Sequence, residues 1–204
     1  MRVFVTGTDT DVGKTTICSW LCLHTNHAYF KPIQTGSTVS QDKLTVSDLA
    51  PNARIYDEIY SFTQPFSPHL AARLDNDHID IERIVLPGDE NVIVEGAGGL
   101  MVPLNETELM IDLIERLQQP VILVARTTLG TLNHTLLSLE ALRQRNVEVL
   151  GVVLNGEPNE ENKEAIEFYG NIRVLQTFPQ LTNVSTTILK QVEFDKELKM
   201  IFSQ

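Results

Sequence analysis

The chain has 204 residues, of which 42% are hydrophobic and 21% charged, and this predicts one domain over residues 1–204 with a substantial buried core. The formal net charge is −11, and no basic run is longer than a pair, so nucleic acid and anionic membranes are not expected as partners, because binding a polyanion requires clustered Lys and Arg. Neither a signal peptide nor a membrane span is predicted, and we therefore expect a cytoplasmic protein.

Continuous apolar runs rich in Val, Ile and Leu predict buried parallel strands, which are apolar on both faces. Four such runs lie at residues 3–6, 92–95, 121–125 and 149–155, and two further candidates lie at 28–33 and 172–178. Helical patterns occupy residues 14–25, 108–118, 131–145 and 160–169, a further helix is predicted from Ser67-Pro68 through Leu74, and a terminal helix is predicted over 186–202.

The alternation of strands and helices predicts an α/β fold with a mostly parallel sheet and helices on both faces. Ligands bind such sheets at the carboxyl ends of the strands. Residues 36–86 form the least regular stretch, and we interpret them as an excursion over the active-site edge. No internal repeat or low-complexity linker suggests a second domain.

Residues 7–16, Gly-Thr-Asp-Thr-Asp-Val-Gly-Lys-Thr-Thr, follow the first predicted strand and precede a helix. Backbone N–H groups of such a turn, together with the helix dipole, bind phosphate. Lys14 then supplies positive charge to the β and γ phosphate oxygens, and the Thr15 hydroxyl is placed to bind magnesium. Five residues, not the usual four, separate Gly7 from Gly13, which indicates a particular branch of P-loop NTPase-type proteins. We call residues 7–16 the phosphate loop.

Magnesium usually takes one or two carboxylates besides phosphate and water. Glu95 ends the strand at 92–95 and is predicted to face the same crevice as the phosphate loop. The glycines that follow it, in Gly96-Ala97-Gly98-Gly99, allow close approach of the backbone to a phosphate. The alternative is an acidic surface residue before a turn. Asp48 could provide a second carboxylate, although its position is equally typical of a helix cap.

Cys18 and Cys22 lie four residues apart in the first predicted helix, so they share one helix face and do not form a CxxC pair. We interpret both as core residues, because free Cys is among the most buried residue types. None of the five His residues has an HxxxH or HExxH spacing, so zinc is not predicted.

Further blocks stand out beside the phosphate loop: Lys31-Pro32 with Thr35-Gly36, Ser67-Pro68-His69, Val94-Glu95-Gly96-Ala97-Gly98-Gly99, and Gly130 with Asn133-His134. Together and in this order, the blocks resemble the dethiobiotin synthetase family over about the first four-fifths of the chain. The phosphate loop is the most specific of them. The resemblance implies that ATP, magnesium, carbon dioxide and 7,8-diaminononanoate react to give dethiobiotin, ADP and phosphate, through a carbamate that ATP phosphorylates.

The resemblance also implies roles for individual residues. Lys31 and Lys14 are the expected catalytic residues, and Thr35 is expected to contact the diamine or the carbamate. The magnesium ligands would be Thr15, Asp48 and Glu95. The nucleotide would contact Thr10, Asp11, Val12, Gly13, Lys14, Thr15, Thr16, Asp48, Glu95, Gly96, Ala97 and Gly98, with Asn155 at the adenine edge and Pro179, Gln180 and Leu181 lining the base pocket.

In the family, the segment that corresponds to Gly130, Thr131, Leu132 and Asn133 belongs to the neighbouring subunit and holds the substrate carboxylate. The resemblance therefore implies a homodimer with shared sites. This chain departs from the family late in the sequence, because Gly156 stands where an acidic residue is common and Pro179 lacks a neighbouring aromatic residue.

Two rival functions use a similar loop. An amidoligase that acts on a corrin precursor usually carries an added glutaminase domain, which we do not expect here. The second rival is a partitioning or positioning ATPase that acts through protein partners. Such ATPases have an extra lysine near the start of the loop, where this chain has Thr8. Those that bind DNA also need a basic face.

Overall fold

Among residues 1–39 and 41–202, which the computed structural model describes, six parallel strands form a central sheet in the order β2-β5-β1-β6-β7-β8. Two short strands, β3 and β4, pair separately beside it. In chain order the strands are β1 Arg2–Gly7, β2 Ala28–Phe30, β3 Ile33–Gln34, β4 Tyr60–Ser61, β5 Val92–Gly99, β6 Val121–Arg126, β7 Val149–Asn155 and β8 Val174–Phe178.

The helices are α1 Lys14–Thr25, α2 Asp42–Leu49, α3 Pro68–Leu74, α4 Met110–Leu117, α5 Thr131–Gln144, α6 Glu160–Gly170, α7 Thr186–Gln191 and α8 Lys196–Phe202. Helices α1 to α6 lie between strands along the chain, α7 and α8 follow β8, and helices cover both faces of the sheet. Within the described ranges, no helix is both long and apolar enough to cross a membrane.

The strands are buried on both faces, which explains their continuous apolar sequences. Alternate residues of β1 show the arrangement: Phe4 belongs to a core shared with α3 and α4, whereas Val3 and Val5 belong to a core shared with α1 and α8. Cys18 and Cys22 are free and fully buried in that second core. The predicted α/β class, the parallel sheet, the helices on both faces and the core role of both cysteines are confirmed.

Two predicted elements are divided in the structure. The strand predicted over 28–33 ends at Phe30, and β3 begins only after Pro32, which has no N–H to donate to a sheet. The terminal helix predicted over 186–202 is broken between α7 and α8. At this break the Trp20 indole N–H donates to the Val192 carbonyl at 2.7 Å. The ring of Phe194 packs edge-on against Trp20, with 4.6 Å between the ring centroids. A continuous helix would not allow both contacts.

The stretch predicted to be irregular, 36–86, contains α2, β4 and α3. Only Val46 and Leu49 of α2 are buried, so its apolar pattern is too sparse to predict a helix. The helix predicted from Ser67-Pro68 is confirmed, and it begins with Pro68 in its first turn.

Candidate active site

The phosphate loop joins β1 to α1 at the carboxyl edge of the sheet. The Thr8 amide donates to the Val124 carbonyl of β6 at 3.0 Å, which fixes the start of the loop. Gly13 has φ of 94° and precedes α1. A Cβ at this position would lie 2.1 Å from Nδ2 of Asn155 on β7, so only glycine fits. Two neighbouring strands therefore hold the loop before the helix begins.

Lys14 is the first residue of α1 and is only 7% exposed. Its Nζ donates to the Asp9 carbonyl at 2.9 Å, so the side chain lies over the phosphate loop. Burial lowers the pKa of Lys14, and the nearby Glu95 carboxylate opposes this shift. The ammonium group thus lies where the motif predicts contact with phosphate oxygens.

A buried cluster of charged and polar side chains lies beside the loop and is centred on Glu95, which is 1% exposed. Glu95 Oε1 accepts from the Thr15 hydroxyl at 2.8 Å and from Lys31 Nζ at 3.2 Å. Glu95 Oε2 accepts from the Tyr29 hydroxyl at 2.8 Å. Lys31 also forms an ion pair with Asp42. Every oxygen of the Glu95 carboxylate is thereby hydrogen-bonded.

Strand register explains why these side chains meet. Tyr29 of β2 pairs with Ile93 of β5, two residues before Glu95, and Val5 of β1 pairs with Glu95 itself. Side chains two apart along a strand point to the same face. Tyr29, Ile93 and Glu95 therefore share the face that α1 covers, and α1 brings Thr15 to the same place.

Burial and charge act in opposite directions on this cluster. Burial alone lowers the pKa of Lys31, but the Glu95 and Asp42 carboxylates outweigh it and raise that pKa above its usual value. Burial, reinforced by the Glu95 charge, raises the pKa of the Tyr29 hydroxyl. Lys31 is therefore a cation and Tyr29 a neutral donor at physiological pH.

The cluster opens into the main cavity, which has a volume of about 660 Å³. Most of the residues predicted for phosphate, magnesium and substrate line it together: Thr10, Asp11, Gly13, Lys14, Thr15, Thr16, Lys31, Thr35, Glu95, Ala97 and Gly98. Gly96 lies behind the lining, where an added Cβ would be 3.0 Å from the Phe4 ring. The segment from Pro65 to Pro68 also lines the cavity.

The structure places Asp42, which was not predicted, in the lining of the main cavity and places the predicted magnesium ligand Asp48 outside that lining. Asp48 is exposed near the end of α2, lies outside the lining of the main cavity, and its carbonyl accepts from the Thr186 hydroxyl at 3.1 Å. Asp42 begins α2, lines the cavity and pairs with Lys31. The two residues are six positions apart in the helix, which places them about 9 Å apart along the axis and roughly 120° apart around it.

A second cavity of about 300 Å³ lies on the other side of the phosphate loop. Asn155, Gln180 and Leu181, which were predicted for the base pocket, line it together with Val12 of the phosphate loop, whereas Pro179 does not. Asn155 Nδ2 donates to the Val12 carbonyl at 2.9 Å, so this amide is already bound to the loop.

Gly156, where the family often has an acidic residue, also lines the second cavity. It has φ of 140°, and a Cβ there would lie 2.4 Å from Oγ1 of Thr127. In this chain the position therefore requires glycine.

The start of α5 lies apart from the main cavity. Gly130 has φ of 94°, and within the described chain no side chain caps the helix. The Thr131 hydroxyl donates to the Arg126 carbonyl at 2.5 Å. Gly130 and Thr131 line a small pocket of about 100 Å³, Asn133 lines a neighbouring groove, and Leu132 is half-buried. One chain therefore does not bring these four predicted residues to Lys31.

Three residues that contact the predicted site were missed from the sequence: Tyr29, Asp42 and Arg126. Arg126 Nη2 donates to Asp9 Oδ2 at 2.9 Å and to the Thr10 carbonyl at 3.2 Å. Tyr29 precedes Lys31 by two residues, and Arg126 directly follows a predicted strand, so strand periodicity could have found both. For Asp42 the sequence offers no comparable signal.

Three side chains of the cluster line the main cavity and offer oxygen atoms that could bind a metal ion: Thr15, Asp42 and Glu95. Within residues 1–39 and 41–202, no group of three or more His, Cys, Asp or Glu side chains could hold a metal ion. A hydroxyl with two carboxylates suits an ion that takes its remaining ligands from phosphate and water, as magnesium does.

Comparisons with known proteins agree with the fold. A family model described as "AAA domain" matches residues 1–187. The solved structure of a ParA family ATPase from Chlorobium tepidum TLS superimposes with a TM-score of 0.59 over 99% of this chain and 96% of that one. Because the two share 12% sequence identity, this likeness concerns the fold alone.

Curated relatives are similar along almost the whole chain. An ATP-dependent dethiobiotin synthetase BioD from Lawsonia intracellularis (strain PHE/MN1-00) is 48% identical over 202 residues, 99% of each chain. Its counterpart from Paramagnetospirillum magneticum (strain ATCC 700264 / AMB-1) is 52% identical over 188 residues, 92% of each chain. The predicted use of ATP and the predicted role in biotin biosynthesis are thereby confirmed, and the chain belongs to the dethiobiotin synthetase family.

Proposed function

We propose that the main cavity joins carbon dioxide to 7,8-diaminononanoate and closes the ureido ring of dethiobiotin. One amine attacks carbon dioxide and loses a proton to give a carbamate. A carbamate oxygen then attacks the γ-phosphorus of ATP, and ADP leaves. The second amine attacks the carbamate carbon, and phosphate leaves with the former carbamate oxygen. The observation that carries this proposal is the convergence of Lys14, Lys31 and Glu95 at one buried site.

Lys14 and the phosphate loop account for ATP binding in this proposal. Phosphoryl transfer requires mainly positioning and positive charge near developing oxyanions. The loop backbone and the start of α1 offer N–H groups to the phosphates. Lys14, which lies over the loop, adds a cation beside the γ-phosphate.

Lys31 is proposed to stabilise the carbamate and the transferred phosphoryl group. It is 6% exposed and lines the same cavity as Thr35, which we propose contacts the carbamate or the diamine. Because Lys31 is held by the Glu95 and Asp42 carboxylates, its charge is directed into the cavity in a dry setting, where a cation acts more strongly on an anion.

Thr15, Asp42 and Glu95 are proposed to hold magnesium. Magnesium held by these residues would supply positive charge to the phosphates of ATP. The support for this assignment is the donor set, since all three residues offer oxygen and line the main cavity.

The adenine base is proposed to occupy the second cavity. Asn155, Gln180 and Leu181 line this space, and it adjoins the phosphate loop through Asp11 and Val12. Because Asn155 Nδ2 already donates to Val12, its Oδ1 is the atom that we propose for reading the base. Pro179 precedes these lining residues and is proposed only to shape their backbone.

A homodimer is proposed in which α5 of one subunit holds the carboxylate of the diamine bound to the other. Free N–H groups at a helix start attract an anion. The Thr131 amide already donates to the Thr128 carbonyl, so the amides of Leu132 and Asn133 are the ones that we propose for this contact. Leu129 is fully exposed, and Met101 and Leu137 are each 62% exposed nearby. Covering these apolar side chains would favour association of two copies.

We further propose that residues 1–204 act as one ligase domain in the cytoplasm, on small molecules and not on nucleic acids or membranes. The net charge of −11 supports this view because it repels polyanions.

The decisive test is mass spectrometry of a reaction that contains the diamine, ¹³C-labelled bicarbonate and MgATP. We expect a cyclic urea that carries one labelled carbon, together with one ADP per ring. The same assay without the diamine separates the rival function, because a partitioning or positioning ATPase would hydrolyse ATP at an unchanged rate. ATP turnover that ignores the diamine and bicarbonate would contradict the proposal.

A further inference from the structure

The side chain of Tyr29 lies behind Glu95, on the side away from the main cavity. Tyr29 is fully buried and is absent from the cavity lining. Its hydroxyl donates to Glu95 Oε2 at 2.8 Å. The residue thus cannot touch a nucleotide or a diamine in the main cavity, and any effect on the reaction must pass through Glu95.

The two oxygens of Glu95 face different partners. Oε1 accepts from Thr15 and Lys31 on the cavity side, whereas Oε2 accepts from Tyr29 on the core side. The terminal torsion of a glutamate is broad and roughly two-fold, so packing alone does not fix the plane of its carboxylate. Donors on both sides do fix it, because rotation would break all of these hydrogen bonds.

We propose that Tyr29 is a positioning residue whose hydroxyl fixes the plane of the Glu95 carboxylate and keeps one oxygen directed at Thr15. This inference rests on the proposed role of Glu95 as a magnesium ligand. Groups that orient a metal ligand through its second oxygen or nitrogen typically affect metal affinity by 10- to 100-fold. We therefore expect loss of the Tyr29 hydroxyl to weaken Mg²⁺ binding. The ring of Tyr29 contributes only packing.

A merely structural role makes a different prediction. In that case the hydroxyl satisfies a buried carboxylate oxygen, and its loss lowers stability without changing how much metal the enzyme needs. The strand pairing of Tyr29 with Ile93 and the packing of its ring in the core would be unaffected by loss of the hydroxyl. The two roles are therefore separable with one isosteric substitution.

The test is Tyr29→Phe, which removes the hydroxyl and keeps the ring. Its matched control is Tyr60→Phe: Tyr60 is also a buried tyrosine, and its hydroxyl contacts the backbone of Asp80, not a carboxylate. For each variant the Mg²⁺ concentration for half-maximal activity is measured. A readout independent of turnover is the Mg²⁺ dependence of binding of a non-hydrolysable ATP analogue, followed by calorimetry, and thermal unfolding reports stability.

We expect Tyr29→Phe to require roughly 10-fold more Mg²⁺ or more in both assays, with the KM for the diamine unchanged at saturating Mg²⁺, while Tyr60→Phe keeps the wild-type requirement. A Tyr29→Phe protein that loses stability but keeps its Mg²⁺ requirement would overturn the inference. Glu95→Gln distinguishes the two levels of the argument. If Glu95→Gln raises the requirement and Tyr29→Phe does not, only the positioning role fails. If neither variant changes the Mg²⁺ requirement, both the positioning role and the proposed magnesium site fail.

Discussion

The main cavity and the start of α5 are both candidate binding sites, but they differ in how far one chain completes them. In the main cavity Lys31 and Glu95 are almost fully buried and hydrogen-bonded to each other and to neighbours. At the start of α5, Leu129 and Asn133 are exposed, and within the described residues no side chain caps the helix.

The difference follows from how each site is assembled. Sheet register and the α1 helix bring the groups of the main cavity together, so its geometry belongs to the fold of a single chain. The start of α5 offers backbone N–H groups at a surface, and these become a selective site only when another surface encloses them. Substitutions in the main cavity should therefore impair the reaction itself. Substitutions at the start of α5 should impair the association of two copies.

The largest expected effects come from removing a cation of the main cavity. Lys14→Ala and Lys31→Ala should each lower turnover by roughly 10² to 10³, by analogy with losing one preorganised oxyanion donor. Lys14→Ala should also weaken ATP binding, whereas Lys31→Ala should leave it nearly intact. Steady-state kinetics and calorimetry with an ATP analogue check both, with exposed Lys190→Ala as the control. A near-normal rate for Lys31→Ala would remove it from the catalytic residues.

The next effect concerns the carboxylates proposed to hold magnesium. Asp42→Asn and Glu95→Gln should each raise the Mg²⁺ concentration for half-maximal activity by at least about 10-fold, since even groups that only orient a metal ligand have effects of this size. Asp48→Asn is the matched control on the same helix, and its requirement should equal that of the wild type. The opposite result, with Asp48 sensitive and Asp42 silent, would restore the assignment made from the sequence.

A mixing experiment tests the second region. Lys14→Ala and Gly130→Asp should each be inactive, the latter because a carboxylate at the start of α5 repels the substrate carboxylate. If sites are shared in a dimer, subunit exchange should restore part of the activity, because one site of each mixed dimer combines two intact halves. Light scattering checks the oligomeric state. A monomer, or no recovery despite demonstrated exchange, would contradict the shared site and leave the ATP chemistry unaffected.

The smallest expected effect concerns a buried side chain that, unlike Lys31 and Glu95, lacks hydrogen-bond partners among the described residues. His27 is 5% exposed, and neither ring nitrogen has a hydrogen-bond partner among the described residues. Burial lowers the pKa of His27, so below an unfolded pKa of about 6.5 the unfolded chain binds more protons than the folded one. Stability should therefore fall as pH falls from about 7 toward 5.

The measurement for His27 is the melting temperature as a function of pH. His27→Leu should flatten the decrease toward low pH, whereas the exposed His78 offers a control, His78→Leu, that should not. An unchanged slope in His27→Leu would show that His27 does not titrate differently in the folded and unfolded states.

Local sequence patterns predicted much of this molecule. The helix at Lys14–Thr25 and the strand at Val149–Asn155 have the predicted bounds, because both are long and strongly patterned. The structure brings Lys14, Thr15 and Glu95 to one cavity, and a loop motif and a strand end indicate these residues without knowledge of the remaining fold.

What the sequence did not reveal depends on contacts between distant segments. Asp42 becomes part of the site only because α2 folds back over Lys31, and a short helix with two buried residues has too little periodicity to show its orientation. The break between α7 and α8 likewise depends on Trp20, more than 150 residues earlier. Tyr29 is significant only through its register with β5.

The position of β1 in the sheet has a consequence for synthesis of the protein. β1 leaves the ribosome well before β5 and β6, yet it lies between these two strands in the sheet. At typical translation rates the wait until Arg126 of β6 is made is on the order of 10 s. During this time an apolar strand with two unpaired edges must remain unaggregated, so folding in the cell should depend on protection of the nascent β1 segment.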